Sequence, residues 1–246
     1  MSAVTHLKLT SVIDLLRHWI SQQVNQECLT WLDEKREQIS NKESASVFFT
    51  AFSAAPRHTG KADLKLTPFD LKAASAIVAG WSPAHWSVDQ AARTLILLAL
   101  PHNNCEKYLQ TLEQVFNAAD LGELVALYQA LPLLHYPEKL RDRACEGIRS
   151  NMSAVFNAVA LQNPYPAEYF NNRAWNQMIL KALFVGSPLN LIQGLDARIN
   201  PELSRMLIDY ANERQAAKRS VSPELWELVD KETRATGVGD KGTTNH

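Results

Sequence analysis

The sequence predicts an all-α protein. Three observations predict it. Helix-start chemistry recurs along the chain, apolar residues between those starts keep a helical period, and hairpin turns are missing. Glycine is scarce, at 9 of 246 residues, and no Asn-Gly or Asp-Gly pair joins alternating segments. A β fold would need such turns.

The elements follow in order. SVIDLLRHWI is amphipathic, with Asp14 and Arg17 interrupting its apolar residues, so it reads as a helix near 11–23 and not as a signal peptide. A second helix is expected near 27–40. The very apolar SVFFTAF carries a third near 44–55. Thr67-Pro68-Phe69-Asp70 sets Thr as N-cap, Pro at the first helical position and Asp in the first turn, opening 69–79. Ser87-Val88-Asp89-Gln90 is a capping box that opens 88–100, and Pro101 ends that helix. A helix near 104–118 follows. Asp120 and Glu123 form a second box before 121–131.

Met152, Val155, Phe156 and Val159 keep helical spacing within a long helix placed at 138–161. Gly186 with Pro188 just beyond closes 172–185. Asn200-Pro201-Glu202 opens 201–218, where Leu203, Met206, Leu207, Tyr210 and Ala211 make one stripe. Ser222-Pro223-Glu224 opens 223–232. About eleven helices of ordinary length result. Short linkers favour antiparallel neighbours, so an irregular HEAT-like α-solenoid is expected, with a helical bundle as the alternative. One domain is expected over 1–233. The polar RATGVGDKGTTNH tail, 234–246, is expected to be disordered.

Composition excludes several classes. Hydrophobic residues are 46% and charged residues 21%, enough for a sizeable core. A net charge of −1 argues against nucleic acid as a partner. Cys28, Cys105 and Cys145 are far apart, which suits a reducing compartment and no disulfide framework. The apolar run from Leu95 to Leu100 is far too short to span a bilayer, so a cytoplasmic protein is expected. His102 and Cys105 have ligand-like spacing, but no second pair completes a metal site. No phosphate loop, Gly-x-Ser-x-Gly or cysteine-nucleophile signature occurs, so no cofactor and no catalysis are expected.

Polar residues on apolar helices are the candidates for function. Arg93 lies four residues after Asp89 and three after Gln90, on one face of a helix otherwise nearly apolar. In WNQMILKALFVG, Lys181 is the only charge, with Asn176 and Gln177 before it. PRHTGKADL gathers Arg57, Lys61 and Asp63 as a possible anion-binding edge. EGIRSNM adds Arg149 and Asn151. The bland alternative is an Asp89–Arg93 ion pair, a Lys181 bonded to a helix end, and a solvated loop. The functional expectation is that Arg57, Arg93, Arg149 and Lys181 converge on one cavity.

Several segments together resemble the EboA family: AFSAAPRHTGKADLKLTPFDL, GWSPAHWSVDQAARTLILL, ALYQALPLL, RACEGIRSNMSAVFNAVA, NPYPAEYFNNRAWNQMILKALFVGSPLNLIQGLD and RSVSPELWELV. The likeness runs from about Leu7 to Val229. It implies a non-catalytic helper in the traffic or export of a small secondary-metabolite precursor. It also implies partners: that small metabolite, for which the aromatic residues of the NPYPAEYF loop suggest an aromatic one, and proteins of the same gene cluster that include a membrane prenyltransferase. Inner-membrane association would then come through a partner. Pro164 and Pro166 are expected to hold Asn163 and Tyr165 extended, either presenting Tyr165, Tyr169 and Phe170 as an aromatic wall or packing the loop on the flank of the stack with its rings buried. Glu168 would then face Lys181 or Arg149. A scaffold without a ligand pocket is the alternative. An enzyme using Lys181 as base or nucleophile, with Glu168 or Asp89 as acid, is the least favoured.

Overall fold

Side-chain caps set most of the helix starts. The Thr67 N–H donates to Asp70 Oδ2 at 2.8 Å, and Thr67 Oγ1 accepts from the Asp70 N–H at 3.3 Å. Asp120 and Glu123 repeat this reciprocal box at 3.0 and 2.8 Å. Asn25, Asn104, Asn171 and Asn200 each accept from a backbone N–H three residues on. Each cap satisfies donors that the first helical turn leaves orphaned.

The computed structural model describes residues 3–41 and 45–236, with side chains over 9–41 and 45–231. Thirteen α-helices lie among the described residues. The first seven are α1 (Ala3–Ser21), α2 (Gln26–Ser40), α3 (Ala45–Thr59), α4 (Pro68–Ile77), α5 (Val88–Leu98), α6 (Cys105–Ala118) and α7 (Leu121–Gln129). The rest are α8 (Arg141–Arg149), α9 (Ser153–Ala160), α10 (Tyr165–Tyr169), α11 (Asn172–Val185), α12 (Pro201–Ala216) and α13 (Pro223–Thr236). No strand occurs among the described residues. A single antiparallel bridge joins Asp63 to Ser87, with the Leu64 N–H donating to Trp86 O and the Val88 N–H to Ala62 O. The fold is all-α, as the sequence predicts.

The expected boundaries fail in four places. The helix expected over 138–161 is broken: a 3-10 turn at Pro137–Leu140 precedes α8, and Ser150 to Met152 separate α8 from α9. Helix α3 runs on through Pro56 to Thr59, so Arg57 sits in its last turn and not in a loop. The LQNPYPAEYF stretch contains the short helix α10, and Tyr165 is helical within it. Pro166 occupies the first turn of α10, where proline is well suited, and that placement overrides the extended bias on Tyr165. Finally, α13 continues to Thr236, past the expected end at 232. The remainder of the expected tail lies outside the described residues.

Helix α5 is the hub, packing on α1, α2, α3 and α7. All but one of its residues are buried. Chain order is then partly skipped, since α7 packs on α9, and α9 also touches α8, α10 and α11. A one-dimensional stack touches only sequential neighbours, so the α5 hub is closer to a bundle. At the far end α11, α12 and α13 pack in order.

Candidate functional site

The polar residues of α5 are matched inside the protein. Arg93 NH1 donates to Asp89 Oδ2 at 2.5 Å, with Arg93 2% and Asp89 4% exposed. Asp89 also accepts from Ser87 Oγ at 2.6 Å, and Gln90 Oε1 accepts from the Ser87 N–H at 2.9 Å. Arg93 Nε donates to Phe52 O at 3.1 Å. Pro56 has no N–H to offer that carbonyl, so the guanidinium takes the place of a missing helical bond. The guanidinium also lies over the Phe52 ring at 5.6 Å. Arg93, held by Asp89, thus joins α5 to α3, while Gln90 closes the N-cap of α5.

Most of the other candidates also have structural partners or face solvent. Asn176 and Asn200 bond each other through both amide groups, at 3.2 and 2.9 Å. Tyr165 is fully buried, donates to Pro137 O at 2.5 Å and packs on Tyr169 with ring centres 4.8 Å apart. Burial pushes its hydroxyl well above the ordinary phenol range. Phe170 is buried too and Tyr169 is half-buried, so Tyr165 and Phe170 fill the core and the three rings present no wall. Arg57, Lys61, Arg149 and Glu168 are exposed. The expected convergence of Arg57, Arg93, Arg149 and Lys181 does not occur, because the first three line none of the grooves described here.

Asn151, Gln177 and Lys181 do come together. They line an open groove of about 640 Å³ between α9, α11 and α12, walled by Phe156, Leu180 and Tyr210. Lys181 Nζ donates to Ile148 O and Ser150 O, each at 2.7 Å, and sits 5.1 Å from the Phe156 ring centre. It therefore caps the carbonyl end of α8. Burial lowers its pKa below the ordinary lysine value. Phe184, 70% exposed, and Val185 form the outer wall.

A second cleft has a different character. It has a volume of about 220 Å³ and lies between the segment before α5 and the ends of α7 and α9. Gly80 starts it: with φ +75, it turns the chain back, and a Cβ there would come within 3.4 Å of Pro164. Trp81 follows, 1% exposed, with its ring 5.9 Å from both Trp19 and Trp86. Trp81 and Trp86 wall one side, while His85 and Ser82 mark the rim.

Gln129, Asn157 and the chain after α9 also line it. Asn157 Oδ1 accepts from Ser187 Oγ at 2.7 Å. Asn163 is held by three bonds: its Nδ2 donates to Tyr128 O and Ala158 O, and its Oδ1 accepts from the Tyr165 N–H. Gln162, also lining the cleft, holds a left-handed φ of 52°, a conformation that costs a non-glycine residue on the order of 1 kcal/mol.

Two of the lining side chains carry an unmatched polar atom. Trp81 Nε1 and Gln129 Oε1 are both buried and have no hydrogen-bond partner. The other such atoms among the described residues, on Arg36, His135, Trp175 and Ser204, belong to side chains that line none of the grooves described here. A buried unmatched group costs about 1–3 kcal/mol, so two in one cleft call for a reason. Sequence reading passed over this site because its residues are apolar or amide and far apart in the chain. The available signal was the pair of tryptophans in GWSPAHW, a loop segment rather than a helix. Among the described residues no group of three or more His, Cys, Asp or Glu side chains is placed to hold a metal ion. No described helix is long and apolar enough to cross a membrane.

A family model described as metabolite traffic protein EboA matches residues 12–230. No curated protein and no solved structure matches the chain.

Proposed function

The chain belongs to the EboA family, whose description is metabolite traffic, and on that premise we propose that it is a non-catalytic carrier that holds a small aromatic metabolite in the Trp81–Gln129 cleft. The two tryptophans and the amide side chains that line this cleft carry this reading. The volume lies below the range of about 300–1,000 Å³ that drug-sized ligands need. A single-ring metabolite suits it. Trp81 and Trp86 offer flat apolar faces, and Asn157 and Ser82 add polar contacts at the edge.

The test is calorimetric titration of the full chain with phenol, benzoate, acetophenone and benzamide, together with the Tm. Saturable binding of at least one is expected. It should raise stability by about 1.4 kcal/mol at ten times Kd. It should vanish in Ala154→Trp, whose larger side chain fills the cleft from its exposed rim. If none of the four binds at millimolar concentration, the carrier reading of this cleft is wrong.

A second reading is favoured by one observation, the exposed Phe184 and Met152 beside the Lys181 groove. There the chain would dock another protein of its gene cluster, as a scaffold does. Phe184→Asp should then lose co-purification with that protein while leaving small-molecule binding intact. Unchanged co-purification would remove the docking reading.

A further inference from the structure

We propose that the groove around Lys181 is a second binding site, for an apolar molecule that carries a single carboxylate. The site is separate from the Trp81–Gln129 cleft and does not rest on the reading of that cleft. It starts from a charge that the fold leaves only partly compensated. None of the ion pairs among the described residues includes Lys181. Its two hydrogen bonds go to neutral carbonyls, Ile148 O and Ser150 O. An ammonium has three N–H donors, so one is left over. Both Ser150, 2.7 Å from Nζ through its carbonyl, and Phe156, whose ring centre is 5.1 Å from Nζ, line the groove, which sets the ammonium at the groove wall. The side chain is half-buried, so neither water nor a ligand is shut out.

The rest of the groove sets the body of the ligand. Phe156, Leu180, Phe184, Val185 and Tyr210 line it with hydrocarbon and ring surface. Phe184 is 70% and Val185 40% exposed, and an exposed apolar patch of this kind marks a binding surface. The volume of about 640 Å³ falls within the range of about 300–1,000 Å³ that small-molecule sites occupy. Lys181 is the one cation in the lining and Glu213 the one carboxylate, exposed on α12 and in no ion pair. A single carboxylate therefore suits the spare N–H. A phosphate monoester, with nearly two charges, would meet Glu213 without a second cation to offset it. Asn151 and Gln177 also line the groove and offer amide N–H groups for the remaining carboxylate lone pairs. A ligand seated here competes with any protein docked on Phe184 for the same surface.

The experiment is calorimetric titration of the full chain with three probes that share one alkyl chain: octanoate, octanol and octylammonium. On the wild-type chain octanoate is expected to bind about three- to tenfold more tightly than octanol, the effect of one charge-assisted hydrogen bond at a half-buried site, and octylammonium more weakly than either. Lys181→Met should remove the preference for octanoate while leaving octanol unchanged. Gln177→Glu sets a carboxylate one turn before Lys181, where the two can pair, and should lower octanoate affinity about threefold while leaving octanol unchanged. Gln177 is exposed, so this variant keeps the test open should Lys181→Met fail to fold. Ala154→Trp, which fills the Trp81–Gln129 cleft, should leave octanoate binding as it is; its loss there would put the carboxylate in the cleft and overturn the assignment. Octanoate that does not bind at millimolar concentration, binds no more tightly than octanol, or keeps its preference in both Lys181→Met and Gln177→Glu overturns it as well. The carrier reading of the Trp81–Gln129 cleft stands or falls on its own probes.

Discussion

Arg93 and Trp81 are equally hidden from water, yet their surroundings differ in one decisive respect. Around Arg93 every strong group is answered: Asp89 takes one guanidinium nitrogen, Phe52 O another, and Ser87 Oγ the second carboxylate oxygen. The Trp81 indole N–H has no answer, and neither has the oxygen of Gln129, a side chain that lines the same cleft. A charge on an apolar helix attracts notice in a sequence, but when it is fully matched it is architecture. A neutral donor and acceptor attract no notice, and when left unmatched they are a cost that the rest of the fold must carry.

Mutations sharpen this comparison. The largest effect is expected at the matched site. Asp89→Ala strands the buried Arg93 charge and should cost about 3–5 kcal/mol in urea unfolding, whereas Asp89→Leu with Arg93→Met should cost less, about 1–3 kcal/mol for the Phe52 O left unmatched. If the single change is harmless, the pair does not hold α5 to α3.

The next effect is a pH dependence away from either site. His135 stacks on His102 with ring centres 3.6 Å apart, and burial, with His102 beside it, lowers its pKa to about 4 from an ordinary 6.5. The unfolded chain takes up this proton near pH 6.5 and the folded chain only near 4. Stability from this group is full above about 6.5, falls as pH drops through that window and levels off below it. The loss should be on the order of 2 kcal/mol once solvent screening is allowed for. Urea midpoints of His135→Phe should lose correspondingly less between pH 6.5 and 4 than the wild type.

A smaller effect belongs to Lys181. Lys181→Met uncaps Ile148 O and Ser150 O at an open groove where water can replace the amine, so about 1 kcal/mol should be lost. A loss larger than the Asp89→Ala loss would mean that the break between α8 and α9 depends on this lysine.

What was legible in the sequence was local. Thr67 with Asp70, Asp120 with Glu123, and Asn200 before Pro201 announce helix starts because a cap is made by residues three apart. The break at Ser150 was not legible: no glycine or proline marks it, and it is fastened by Lys181 from a helix more than thirty residues on. The same distance hid the cleft. Residues 81–86, 129 and 157–163 meet only because α7 packs on α9 and the bridge at Asp63 and Ser87 fixes the start of α5. Asp89 and Arg93 were legible as a pair at helical spacing, but spacing could not say whether the pair was closed on itself.

The smallest change in stability should accompany a clear change in binding, and that contrast tests the account most directly. The measurement is the urea unfolding free energy of Gln129→Leu without ligand, beside its affinity for benzamide. Replacing an unmatched buried oxygen by a hydrocarbon should leave stability equal or raised by up to about 1 kcal/mol, while benzamide binding falls about three- to tenfold. A variant that loses more than about 1 kcal/mol and binds benzamide as the wild type does would show that Gln129 serves the fold and not a ligand.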